Sequence, residues 1–214
     1  MERVAEGVEA WIKGWIVSRG ASDPITEPWG FTIDVGQAKH VARHVVPAPD
    51  ETTVRKLVAA TTAPGTWLKL FADDETVRPW LGPGWQFDQP GFLMAVDLTP
   101  DRPEVPAGYT LTSWSRGGVI RVLVRTPDGH FAARGQIAPT GATAVADQIE
   151  TSPAHRRKGL GSLVMRTLQS TAYEAGATTG ILVGTPEGQA LYEALGWRTL
   201  SPMASLFYVP SDEA

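Results

Sequence analysis

Apolar positions along this chain recur with two different periods, and each change of period marks an element. Val4, Val8, Trp11, Ile12, Trp15 and Ile16 fall at helical spacing, so residues 2–18 read as an amphipathic helix that Gly20 can end. Residues 31–35 and 41–46 read as strands, and residues 50–60 as a helix with Asp50 as its N-cap. Short apolar strands are expected at 66–71 and 92–98. Then Pro100, Pro103 and Pro106 fall at every third residue, a spacing suited to an extended, semi-rigid linker. The pattern therefore divides the chain into residues 1–99 and 109–214, joined by a Pro-rich segment at 100–108.

Beyond the linker the pattern becomes strand-rich. Residues 109–114, 119–125 and 130–137 read as strands, the last two joined by the turn signal Thr126-Pro127-Asp128-Gly129. Thr140-Gly141 marks a second turn, and residues 143–151 the next strand. Residues 159–176 read as a helix with Leu160, Leu163, Val164 and Leu168 on one face and Gly176 as its stop. A short buried strand at 181–184 precedes a helix capped by Thr185 with Pro186 at its first position, ending near Gly196. Residues 203–209 form a last strand. This order predicts an α/β (α+β) fold: a mixed, mostly antiparallel sheet flanked by helices.

The two parts echo one another. Leu182, Leu195-Gly196-Trp197, Pro202 and Leu206 are matched by Leu68, Leu81-Gly82, Trp85, Pro90 and Met94. Each stretch reads strand, helix, Gly-Trp, strand. The shared Gly-Trp and Pro favour duplication over a generic pattern.

Composition narrows the function classes. Of 214 residues, 43% are hydrophobic and 20% charged, as in ordinary globular proteins. A net charge of −4 argues against nucleic acid as the main partner, which needs a broad basic footprint. The absence of Cys excludes disulfides, thiolate metal sites and Cys nucleophiles. No apolar run is long enough for a membrane span, and Glu2, Arg3, Glu6 and Glu9 do not make a signal-peptide pattern. A cytoplasmic protein with no membrane partner is expected. His40 and His44 share a face, but no third ligand is suggested and no metal is expected. The Trp-rich first helix reads as core or domain interface rather than as a ligand site.

One segment conflicts with its own context. His155-Arg156-Arg157-Lys158-Gly159-Leu160-Gly161 lies between a strand and a helix. Cations are unfavourable at a helix start, and Gly is a poor helix former. A solvated basic loop would account for the charges alone. A bound polyanion accounts for more: it accepts the exposed N–H groups, neutralises the cations and approaches the backbone where Gly has no side chain. Neither a Walker loop nor a dinucleotide fingerprint is present, and no nucleophile elbow suggests a serine hydrolase.

Arg156-x-x-Gly159-x-Gly161, preceded by Thr151-Ser152-Pro153-Ala154-His155, resembles the acyl-CoA pyrophosphate loop of the GNAT superfamily of N-acetyltransferases. Ala190-Leu191-Tyr192-Glu193-Ala194-Leu195-Gly196-Trp197 is similar to that family's terminal helix. The resemblance covers about residues 109–209 and reaches the first part only through the repeat, as a degenerate GNAT-like copy.

The resemblance implies direct acyl transfer from acetyl-CoA, as cosubstrate, to an amine. Backbone N–H groups of Arg157, Lys158, Gly159, Leu160, Gly161 and Ser162 would hold the pyrophosphate, with Arg156 and Lys158 adding charge. The strand Ile149, Glu150, Thr151 would splay from its neighbour, bind the pantetheine arm and polarise the thioester carbonyl. Tyr192 would protonate the leaving thiolate; its alternative is a packing residue on a helix face. Glu150 is the candidate base, against an exposed strand residue or a water chain. Strand alternation sets Glu150 toward the acceptor and gives Asp147 the opposite parity. Where many members carry Asn before the helix Tyr, this chain has Thr185, which keeps a hydroxyl near the CoA arm. The two helices expected between the first two strands have no room between Trp114 and Val119. That region shapes the acceptor pocket in relatives, so the acceptor is not legible: small-molecule and protein amines are both open. An active enzyme is expected, with a noncatalytic acyl-CoA sensing module and a scaffold as alternatives. A homodimer is left open.

Overall fold

Two βαβ crossovers organise the molecule, one in each half of the chain. The computed structural model describes residues 2–210. In chain order it runs α1 (Glu2–Arg19), β1 (Ile25–Glu27), β2 (Gly30–Gln37), β3 (His40–Val46), α2 (Glu51–Ala60), β4 (Thr66–Leu70), α3 (Asp74–Val77), a 3-10 turn at Arg78–Trp80, β5 (Trp85–Phe87) and β6 (Gly91–Asp97). The second half adds β7 (Thr110–Arg116), β8 (Val119–Arg125), β9 (Phe131–Thr140), β10 (Thr143–Thr151), a 3-10 turn at Pro153–His155, α4 (Leu160–Glu174), β11 (Thr179–Gly184), α5 (Pro186–Ala194) and β12 (Arg198–Tyr208).

Local chemistry explains the helix ends. The Asp50 carboxylate accepts from Thr53 N–H and caps α2, as its sequence position predicts. Thr185 caps α5 through the N–H of Gly188. α4 closes in a Schellman arrangement: Ala177 N–H donates to Ala172 C=O and Gly176 N–H to Tyr173 C=O. Gly176 has φ +96°, a conformation that costs Gly nothing. β1 and β5 were not expected, because three residues are too few to show a period. β12 begins five residues before the expected strand, since Pro202 and a register shift between Thr199 and Ser201 hide its alternation.

The strands form one mixed sheet in the order β1-β2-β3-β4-β12-β6-β11-β10-β9-β8-β7, with β5 also on β12. Among the described residues only β3–β4 and β10–β11 are parallel, as crossovers through α2 and α4 require. The ends of the two halves are exchanged. β6 pairs with β11 of the second crossover, and β12 pairs with β4 of the first. The sheet is therefore continuous across the parts on either side of residues 100–108.

Helices cover both faces. α4 and α5 bury Leu160, Leu163, Val164, Leu168 and Tyr192 against one face of the second half, and α2 and α3 cover the same face of the first. α1 crosses the other face and buries Val8, Trp11, Ile12 and Trp15. Gly14 lets it lie directly on β10, since a Cβ there would meet Val145 Cγ2 at 2.3 Å. The C-terminal end of α1 is tied to β10 and β9: the Ser18 hydroxyl and the Arg19 guanidinium donate to the Asp147 carboxylate on β10, and the buried Gln136 amide on β9 donates to Ser18 O at 2.9 Å.

Beneath α1 the first half carries two buried cations. Arg43 stacks 3.9 Å from the Trp15 ring centroid, and the Lys69 ammonium sits 4.5 Å from that of Trp67. Such contacts contribute about 2 kcal/mol each when desolvated. Burying an ion costs several kcal/mol. The aromatic contacts therefore only partly offset the burial. Among the described residues, no helix is long and apolar enough to cross a membrane.

Candidate active site

The loop at Arg156–Gly161 leaves the end of β10 and enters α4. Ser152 N–H still bonds to Ala132 C=O, and the turn Pro153–His155 redirects the chain. The Tyr109 hydroxyl meets His155 Nδ1 at 3.0 Å, anchoring the loop's entry. Sequence reading did not single out Tyr109, because the contact joins residues 46 positions apart. Arg157 and Gly159 both take left-handed conformations, with φ of +61° and +76°. That geometry turns successive N–H groups toward one concavity.

No side chain caps α4, because its N-cap is Gly159. Leu163 N–H is the first in the helix to find a carbonyl, that of Gly159. Among the described residues, no protein group accepts from the N–H groups of residues 157–162. Six consecutive unengaged donors at the positive end of a 15-residue helix are an arrangement suited to an anion. α2 has no such opening, because the Asp50 carboxylate already occupies its N-terminus.

The two glycines of the loop serve different purposes. Nothing lies within 4 Å of a Cβ on Gly159, whose requirement is its backbone angle. A Cβ on Gly161 would meet Leu191 Cδ2 at 2.9 Å, so its smallness lets α4 pass over α5. Arg156 is engaged by protein: its guanidinium donates to Glu187 at 2.8 Å, joining the loop to the first turn of α5. Arg157, Lys158 and Ser162 make no side-chain hydrogen bond among the described residues, whereas Leu160 is buried in the core.

Beside the loop the sheet opens. β10 and β11 pair only over residues 143–145 and 179–181, although both strands continue. The remainder of β10 leaves β11; Glu150 and Thr151 stay paired with β9, while Ile149 lies in the irregular stretch just before them. Thr185 begins α5 at the far lip of this wedge. Tyr192, on α5, is buried; Cβ atoms on Gly184 and Gly188 would lie 2.8 and 2.9 Å from its ring. Burial, then the negative charge of Asp147, push the Tyr192 phenol up to about 12. It therefore stays protonated at any working pH. Full proton transfer to a thiolate of pKa about 8.5 is uphill by more than three units, so a hydrogen bond to the sulfur is its stronger chemical option.

The structure corrects the parity of the carboxylates. Between Asp147↔Gln136 and Glu150↔Arg134, β10 advances three residues and β9 two. The extra residue is a β-bulge, with Gln148 at φ +54°. Asp147 and Glu150 consequently share one face, the face covered by α1. Simple alternation placed them on opposite faces because a period of two takes no account of a bulge. Glu150 accepts from Arg134 at 2.8 Å and lines a cavity of about 490 Å³ with Trp114, Arg121, Phe131 and Gln136. His40 and His44 do not come together as metal ligands: His40 packs on Trp67, and His44 meets the Thr32 hydroxyl. Among the described residues, no group of His, Asp or Glu side chains could hold a metal ion.

Known structures share this architecture. A GCN5-related N-acetyltransferase from Kribbella flavida superposes with a TM-score of 0.67 at 20% identity, over 98% of this chain and 95% of that one. A GCN5-related N-acetyltransferase-like protein from Streptococcus suis gives 0.61 at 12% identity, over 98% and 100%. An acetyltransferase described as GNAT-family, from Novosphingobium aromaticivorans, gives 0.58 at 17% identity, over 95% and 97%. At these identities the likeness is one of fold. No curated protein sequence matches the chain. The Acetyltransferase (GNAT) family model matches residues 67–197, a span that takes in the loop, the wedge and Tyr192, and the chain belongs to that family.

Proposed function

We propose that this protein is an N-acetyltransferase that moves an acetyl group from acetyl-CoA directly to an amine. The observation that carries this reading is the run of six unengaged N–H groups at the start of α4, beside the wedge between β10 and β11. The pyrophosphate of acetyl-CoA fits those donors, assisted by Lys158 and the helix dipole. Its pantetheine arm enters the wedge and completes the free edge of β10 along Ile149–Thr151. A backbone N–H there polarises the thioester carbonyl, and the amine attacks from the face that carries Glu150. Glu150, or water ordered by it, takes the amine's proton. Tyr192 donates a hydrogen bond to the departing sulfur.

The first half is, on this reading, a degenerate copy. Its support is topological: each half has a parallel βαβ crossover, a short helix and a last strand given to its neighbour. Because Asp50 fills the corresponding helix start, one acyl-CoA site per chain is expected. Titration calorimetry with acetyl-CoA, with CoA release measured across an amine panel, tests the proposal. Binding with turnover supports it; binding without turnover supports the sensing alternative; absence of binding at saturating acetyl-CoA overturns both.

A further inference from the structure

Acyl transfer as described makes no use of the cations beneath α1. Arg43 on β3 and Lys69 on β4 are each 7% exposed. Arg43 Nε donates to His40 Nε2 at 3.3 Å, which requires His40 to be the neutral acceptor. The Lys69 ammonium donates to the Ser205 hydroxyl. Neither cation forms an ion pair among the described residues. The negative charge that acts on Arg43 is that of Asp147, whose carboxylate is already held by Arg19 and Ser18. Asp88 stands in the same relation to Lys69. A purely structural cluster would be better served by apolar side chains against Trp11, Trp15 and Trp67. The terminal nitrogens of Arg43 donate to no protein acceptor among the described residues, and a planar guanidinium fork suits a carboxylate or a phosphate.

We infer that Arg43 and Lys69 form an anion subsite of the acceptor pocket, so that the acceptor is an amine that also carries a carboxylate or phosphate group. Asp147 links the subsite to the reaction centre. It lies just beyond Val145, the last β10 residue paired with β11, and it holds Ser18 and Arg19, one helical turn along α1 from the Trp15 ring on which Arg43 stacks. An acceptor anchored by its anionic group on the first half would thus present its amine toward the bulge of β10. The anion binding stands on the buried cations alone; its service to an acceptor rests on the acetyltransferase reading.

The full chain is tested in two arms. In the first, thermal unfolding is followed with acetate, inorganic phosphate or chloride at matched ionic strength. One of the first two should raise the wild-type midpoint by several degrees over chloride, and the responding anion identifies the class. Arg43→Met and Lys69→Met should fold, with midpoints in chloride no lower than wild type, and lose that response. A wild type indifferent to both anions, or Met variants that keep the response, would overturn the proposal. In the second arm, amines are compared in pairs that differ only in the anionic group. The anionic member should have a kcat/KM at least 10-fold higher, mainly through KM. Arg43→Met should abolish that preference while acetyl-CoA binding is unchanged. Equal rates for both members overturn the acceptor role. An anion response with no turnover on any amine leaves the subsite standing and overturns the acetyltransferase reading.

Discussion

Tyr192 is a phenol whose surroundings make it a weaker acid, not a stronger one. In the proposed acyl transfer its contribution is therefore a hydrogen bond to developing charge, and Tyr192→Phe should lower kcat roughly 10-fold or more while the acetyl-CoA KM barely moves. An unchanged kcat in steady-state assays would remove it from the mechanism. Lys69 offers a second residue-scale prediction. Burial, then the Arg43 charge, lower its ammonium to about 7, against an ordinary value of 10.5. Between those values the unfolded chain holds a proton that the folded chain does not, so folding stability rises with pH across that window. The slope from this group approaches about 1.4 kcal/mol per pH unit. Chemical denaturation at pH 7 and pH 9.5 should show a wild-type gain that Lys69→Met lacks. His40, lowered to about 3 chiefly by burial, acts in the same sense at lower pH: stability falls as pH drops below its ordinary 6.5.

At the scale of elements, close approach governs the site. α5 holds Tyr192 against Gly188, where a Cβ would lie 2.9 Å from the ring. Gly188→Ala should displace the ring and reduce kcat as far as Tyr192→Phe does, with the hydroxyl still present; a kcat equal to wild type would show that the ring has room. α1 meets β10 at Gly14 with even less space. Gly14→Val should cost about 1–3 kcal/mol through overpacking, visible as a lower thermal midpoint. It should also disturb Ser18 and Arg19 on Asp147. Local signals placed many elements correctly: the Asp50 and Thr185 caps and the Gly176 stop act within one helical turn, and sequence reports such neighbours directly. The bulge at Gln148 left no such mark. Its left-handed residue is not Gly, and its effect is to change which carboxylates share a face.

Across the whole molecule the exchanged strands tie the halves together. Removing residues 1–99 would strip β6 from β11 and β4 from β12, leaving two apolar strands with open edges. We expect residues 100–214 expressed alone to aggregate, and the two fragments expressed together to regain a cooperative unfolding transition. A soluble, cooperatively folding second half would show that the exchange is dispensable. The Pro-rich segment at 100–108 looked like a linker because its composition changes there. It is nonetheless held down: Asp101 pairs with Arg166, and its backbone N–H bonds to the Ser170 hydroxyl on α4.

By itself the sequence determined the candidate binding loop and the helix that faces it. Arg156–Gly161 and Tyr192 are legible because phosphate recognition at a helix start, and the cap and stop of the helices around it, depend on residues adjacent in the chain. Only tertiary structure decided what those residues face. Arg156 is taken by Glu187, Gly161 by Leu191 and Asp147 by α1, contacts made across long stretches of chain. The burial of Arg43 and Lys69 belongs to the same class, since a cation on a strand becomes costly only when another element closes over it.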